Sequence, residues 1–394
     1  MKDLLHDLDN YWFGRANPGG FGLFRILIGA LWFVNLLMLA PDWEDWFGEH
    51  GFVPTAVARR WLGPNETVLG LSIPRIDLLG GVVDPWITMP FYALVTLAAL
   101  TTALGLWSRA STLVLAVGAV SLHHRNPLIL HGGDTVLRIC ALYLAAGPSG
   151  AACSIDRLIR VWKGKEGLEP PSVSLWAQRL VAYNVALIYL TTVWIKWQGS
   201  LWRDGTATWY TARLQEFSRF PVPPFVNDPP FIYLTTYGTL AVEFCLGTLV
   251  FFRRLRSYVL LAGLLLHGYI EYSMNIPMFA LAICSMYVCF YEGSEIGRWA
   301  QRAGRRLERL RTTVRLPRGA AMSAAGVAFF DSVDPLKLVT YLPGDAPRLE
   351  AASASGKPMD PSRASWTRSV GAWTFAWIPG LWRRLLQSAL VTKP

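Results

Sequence analysis

FGLFRILIGALWFVNLLMLA, residues 21–40, is a run of twenty predominantly apolar residues, the length a helix needs to cross a hydrocarbon layer about 30 Å thick. Seven further stretches read the same way: 87–107, 110–130, 134–152, 175–198, 231–252, 255–272 and 274–291. His123, His124 and Arg125 interrupt the third of the eight, and Asn275 and Pro277 open the eighth. Composition agrees with this pattern. Charged residues make up 16% of the chain, against about 25% in soluble proteins. The 18 Trp, 14 Tyr and 19 Phe suit a protein anchored at two membrane interfaces. The sequence therefore predicts an all-α integral membrane protein of about eight transmembrane helices with a small cytoplasmic C-terminal appendage. Disordered, collagen-like and disulfide-scaffold classes are excluded by the same composition.

Four regions follow. Residues 1–20 are an N-terminal amphipathic segment, without the basic and apolar regions of a cleaved signal peptide, so the first span is expected to remain in the mature protein. Residues 21–291 form the membrane domain. Residues 292–318, which contain RWAQRAGRRLERLRTTVRLPR (298–318), read as a basic amphipathic helix lying on an anionic cytoplasmic leaflet. Residues 319–394 read as a small α/β or partly disordered appendage, with VAFF (327–330) and KLVTYL (337–342) as short strands and an amphipathic segment from Trp373 to Leu390. Between the spans, 41–86 contains PDWEDWF and ARRWLGP, which read as interfacial helices, and 199–230 ends in the semi-rigid connector PVPPFVNDPP.

The net charge of +10 is mostly topological. With the N-terminus inside, the cytoplasmic segments up to residue 315 carry seventeen Lys and Arg and the opposite side seven, so both termini are expected inside. That distribution gives no reason to propose a nucleic-acid partner. The five cysteines lie in or beside apolar stretches without a C-x-x-C pair and read as small buried hydrophobes.

Ionisable side chains inside a bilayer cost at least about 2.5–3.5 kcal/mol each, so each needs a partner, a cavity or a function. Glu243, in YGTLAVEFCLGTLVFF, reads as a neutral carboxyl bonded to a neighbouring helix, a proton carrier, or the partner of a buried cation. Lys196, in IYLTTVWIKWQGSLWRDG, reads as an interfacial lysine beside Trp194 and Trp197, or as a desolvated general base. His267 and Glu271 are spaced i, i+4 and read as an internal pair, a carboxylate-oriented histidine, or two ligands of a metal. In HHRNPLILHGGDTVLR (123–138), Asp134 and Arg138 are again i, i+4 and read as an ion pair, with Gly132-Gly133 allowing a tight turn. The spacing of His123, His124 and His131 fits no standard zinc pattern, and no metal site is expected. On the proposed orientation most of these groups share the outer half of the membrane, which points to a pocket opening outward. Phosphate loops, dinucleotide fingerprints, nucleophile elbows and zinc-protease motifs are absent.

The order FGLFRILIG, LGLWSRAS, then HHRNPLILHGGDTVLRICALYLAAGPSGAACSID resembles the horizontally transferred transmembrane (HTTM) domain, whose best-known members are the vitamin-K-dependent γ-carboxylases. IYLTTVWIKWQGSLWRDG is similar to their helix-end lysine followed by W-x-x-G, and the resemblance covers roughly residues 10–295. It implies that Lys196 is a base that takes a proton from vitamin K hydroquinone or menaquinol, with His267 and Glu243 as further catalytic residues. Trp202 and Gly205 would belong to its loop and, with Asp134 and Arg138, bind the cofactor. The sequence departs from the carboxylases at Ala151, where they carry a histidine, and at Trp197, where they carry a second lysine. It also lacks their large lumenal region. These departures weigh against protein carboxylation and leave quinol oxidation. VAFFDSVDPLK resembles the opening strand of a thioredoxin-like module, without its cysteines. Two other readings stand beside the enzyme in a bacterial-type inner membrane: a partner, maturation or immunity factor for a secreted peptide, and a proton or solute transporter using Glu243 and Asp134.

Overall fold

The computed structural model describes residues 2–48, 50–52, 54–68, 71–211, 213–221, 223–308, 311–317, 320–346, 350–353, 358–359, 384–385 and 387–392. These fall into two compact units. The first comprises 1–15, 20–149 and 174–291, and the second 16–19, 150–173 and 292–394.

The first unit is helical. Helix α1 spans Lys2–Phe13, α2 Gly19–Leu39, α3 Trp43–Phe47 and α4 Thr55–Leu62. An antiparallel ribbon follows, pairing 65–68 with 71–74, which the sequence did not announce. Then come α5 (Pro85–Leu104), α6 (Ser108–Arg125) and α7 (Gly132–Ala146). In the second unit α8 runs over Ile155–Trp162. The first unit resumes with α9 (Trp176–Gln198), the short α10 (Ser200–Arg203) and α11 (Ala207–Thr211), α12 (Pro229–Gly247), α13 (Arg256–Ser273) and α14 (Phe279–Met286). A 3₁₀ turn carries the last of these on to Phe290.

Every one of the eight apolar segments thus contains a helix. Among the described residues three of them, α2, α5 and α9, are long and apolar enough to cross a membrane. The others are shortened or made more polar by features already visible in the sequence. Helix α6 closes on His123-His124-Arg125, α7 has fifteen residues, and Asn275 and Pro277 delay α14 to Phe279. Large apolar side chains such as Leu97, Leu187, Ile195 and Leu265 point outward and are more than half exposed, as on a surface that meets lipid rather than water.

Local chemistry sets the helix ends. The Asp84 side chain accepts from the Trp86 N–H at 2.9 Å, and Pro85 occupies the first helical position of α5, where its missing N–H costs nothing. Gly105 ends α5 with φ 68°, the left-handed conformation that satisfies the last carbonyls. Helices α2 and α5 run antiparallel and very close. A Cβ on Gly29 would lie 2.5 Å from the Ala103 backbone nitrogen. One turn earlier, fully buried Arg25 donates to the Thr102 carbonyl at 3.1 Å. This places a cation at the carbonyl-rich end of a helix.

The end of α6 explains its polar cluster. Buried Arg125 donates to the carbonyls of Val82 (2.7 Å) and Phe47 (3.2 Å), and Asn126 to that of Trp46 (3.0 Å). His124 Nδ1 accepts from the Ile76 N–H (2.8 Å) and Ser121 Oγ from the Leu78 N–H (2.9 Å). The helix end therefore clamps the backbone of the 41–86 segment. Among the described residues no group of three His, Cys, Asp or Glu is placed to hold a metal. Arg125→Ala is expected to leave those carbonyls unpaired at about 1–3 kcal/mol each. Limited proteolysis should then cut within 41–86 at least several times faster than in wild type, with the membrane helices still intact.

The second unit holds a four-stranded sheet in the order 339–346, 312–317, 350–353, 358–359. The central strand pairs parallel to the first and antiparallel to the third. Helix α15 spans Gly293–Arg306 and α16 spans Ala324–Val333. Val161, Val314, Phe329, Phe330 and Val333 form the core. Three expectations change here. VAFF (327–330) is helical, within α16, because Ser323 caps that helix by accepting from the Gly326 N–H at 3.0 Å. The likeness of this segment to an opening strand falls with it. The basic helix stops at Arg306, and 312–317 is a strand. Trp373–Leu390 lies mostly outside the described residues. Cys153 is exposed rather than buried.

Candidate functional site

Helices α9 and α12 are in contact along their facing sides. Gly247 makes this possible, since a Cβ there would lie 2.6 Å from Leu190 Cγ and 3.3 Å from the Ala186 carbonyl oxygen. The approach brings Lys196 Nζ onto Glu243 Oε1 in a direct ion pair. Thr192 donates to the other carboxylate oxygen at 3.3 Å. The Glu243 side chain is 7% exposed and that of Lys196 24%, so the pair is withdrawn from solvent but reachable at its lysine end. Lys196 Nζ also lies 5.1 Å from the centroid of the Trp202 ring, within cation–π range. Of the readings open for Glu243, the geometry makes it the partner of a cation. Lys196 turns inward to that carboxylate, while Trp194 and Trp197 are exposed.

Trp202 and Gly205 belong to one tight turn after α9. The Thr206 N–H bonds the Leu201 carbonyl at 2.9 Å, and Gly205 has φ 75°. A Cβ at Gly205 would meet the Tyr233 ring at 2.4 Å and the Tyr237 ring at 2.8 Å, so both conformation and space demand glycine. The Tyr237 hydroxyl donates to the Arg203 carbonyl at 2.7 Å, and Thr208 Oγ1 lies 2.8 Å from the hydroxyls of both Thr235 and Thr236. The turn and α11 are thereby fixed to α12. Beside them opens a cleft of about 320 Å³ lined by Thr206, Trp209, Tyr210, Pro229, Ile232 and Tyr233.

Tyr189, Thr192 and Lys196 are spaced i, i+3, i+7 and share one face of α9. The Tyr189 hydroxyl lies 2.7 Å from His267 Nε2 and is also hydrogen-bonded to the Tyr287 hydroxyl. All three residues are buried. The Tyr287 hydroxyl reaches this position past Gly263, where a Cβ would come within 2.6 Å of it. His267 Nδ1 is buried with no hydrogen-bond partner among the described residues, and its ring lies 5.6 Å from that of Phe279.

Two sequence-predicted pairs are not made. Glu271 bonds Arg219 instead of His267, because a guanidinium from the 199–230 segment is the stronger partner. Asp134 does not pair with Arg138. Its carboxylate accepts from the His131 N–H at 3.0 Å, and His131 Nδ1 accepts from the Gly133 N–H at 2.9 Å. This capping box answers the unpaired N–H groups that begin α7. Neither Asp134 nor Arg138 is bonded to the Lys196–Glu243 pair. The sequence reading missed Tyr189, Thr192 and Tyr287. Stepping back from Lys196 along one helix face would have found the first two.

The HTTM domain model matches residues 13–294, and the chain belongs to that family. No curated protein and no solved structure matches it.

Proposed function

We propose that this chain, as a membrane protein of the HTTM family, removes a proton from a lipid-soluble quinol with its Lys196–Glu243 pair. The observation that carries the reading is the pair itself. Two oppositely charged groups on facing apolar helices are withdrawn from water, and Tyr189, on the same face of α9 as Lys196, is hydrogen-bonded to His267 of α13 and to Tyr287. Such an arrangement is expensive to keep and suits acid–base work. A vitamin K or menaquinone ring fits the residues present, since the cleft beside the Trp202–Gly205 turn is walled by Trp209, Tyr210 and Tyr233. When bound, the quinol would supply two phenolic protons, one of them taken by the chain, and two electrons for an oxidant such as oxygen.

The chain's own part is the proton. Lys196 passes one proton to the Glu243 carboxylate and so presents a free amine as acceptor. Thr192 holds the second oxygen of Glu243 and orients it. Trp202 covers the amine on its open side. Tyr189 and His267 offer a buried path by which the proton leaves. Asp134 and Arg138 remain candidates for the cofactor's polar end. The same reading takes the eight helical segments as eight crossings of a bacterial-type inner membrane with both termini inside. A C-terminal reporter active only in the cytoplasm tests that orientation.

The deciding assay is oxidation of menaquinol or vitamin K hydroquinone by purified protein in detergent. Turnover by wild type and its loss in Lys196→Ala is the expected result. Well-folded wild-type protein that turns over neither quinol would overturn the reading.

A further inference from the structure

Helix α15 begins three residues after Phe290, where the last apolar segment ends, and its two faces are unlike. Toward the interior of its own unit it presents glycine: a Cβ on buried Gly304 would lie 1.9 Å from the Leu336 carbonyl oxygen. On the other side Arg298, Arg302, Arg305 and Arg306 fall at i, i+4, i+7 and i+8, one stripe of the helix surface. All four are exposed. None of the four side chains has a hydrogen bond or ion pair with a described residue. The acidic residue that shares this face, Glu295, is engaged elsewhere, its carboxylate accepting from the Glu292 N–H at 3.2 Å in a capping box. Trp299, 43% exposed, lies at the border of the stripe.

We propose that the Arg298–Arg306 face of α15 is a binding surface for the phosphate headgroups of anionic phospholipids. Charge complementarity argues for this partner. Four guanidiniums paired with no carboxylate among the described residues, in a row about 12 Å long at 1.5 Å per residue, match a plane of singly charged phosphates. Guanidinium forks bind phosphate oxygens two at a time. An exposed tryptophan at the edge of a basic stripe is the side chain that settles at headgroup depth. A lipid surface is also the one polyanion a membrane protein always has within reach. The proposal does not depend on quinol chemistry.

The test is arginine footprinting on the full chain in nanodiscs. Phenylglyoxal modification at the four positions is followed by peptide mass mapping, in pure phosphatidylcholine and in a mixture containing phosphatidylglycerol. Modification should be about fivefold slower at each position in the anionic discs, and the protection should vanish at high salt. In R302Q/R305Q the protection at Arg298 and Arg306 should fall. Arg311, which bonds Glu308 at 3.1 Å, is the internal reference. Equal rates in the two lipids would overturn the proposal. So would equal protection by soluble glycerol phosphate in phosphatidylcholine discs, which would make the ligand a free phosphate.

Discussion

Replacing Glu243 with alanine is expected to lower quinol turnover by about 10²–10⁴-fold, the share a positioned acid or base commonly contributes, and to destabilise the protein as well. Lys196 would keep its charge among apolar helices with no carboxylate to face. Breaking one side of a fully buried pair costs about 3–5 kcal/mol. Lys196 is a quarter exposed, so screening should reduce this to about 2 kcal/mol. The informative variant removes both charges. Lys196→Met combined with Glu243→Leu should recover the lost stability or exceed it, since a well-packed apolar pair replaces two desolvated ions, yet it should remain inactive. Thermal unfolding and quinol turnover of wild type, Glu243→Ala and the double variant separate the two contributions. A double variant as active as wild type would remove the pair from the chemistry. One as unstable as Glu243→Ala would mean that the pair is itself a structural requirement.

Gly29→Val is expected to be the most damaging single substitution away from the site. The glycine's missing side chain faces backbone atoms of Ala103 at 2.5 and 2.7 Å, and backbone cannot rotate aside as a side chain can. Helices α2 and α5 must separate, and Arg25 then loses its bond to the Thr102 carbonyl. Overpacking costs about 1–3 kcal/mol, and a buried guanidinium without its acceptor adds a comparable amount. A large fall in unfolding temperature should follow. Gly297→Ala, at a position with open space around it, should leave that temperature unchanged.

The helical segments were legible because a run of apolar residues long enough to meet lipid can hardly do anything else. Lys196, Glu243 and His267 were legible for the converse reason: ionisable groups in such runs are costly and must be accounted for. Tyr189 and Tyr287 carried no such signal, since tyrosine is at home in membrane proteins. The i, i+4 arguments failed at Asp134 and Glu271 because spacing identifies which neighbours are available and says nothing of competitors. For Asp134 the competitor was a helix start with unpaired N–H groups. For Glu271 it was an arginine fifty-two residues earlier in the chain. VAFF was misread because a short apolar run has no period to distinguish strand from helix. The deciding residue, Ser323, lay just outside it.

The clamp at the end of α6 also imposes an order of events. Phe47 and Val82 leave the ribosome well before Arg125, which follows them by 78 and 43 residues. Their carbonyls therefore have no partner until α6 is made and seated against α5. Residues 41–86 must wait while the helix that will fasten them is still being synthesised. During that interval the segment has only its own local helices and ribbon to hold it.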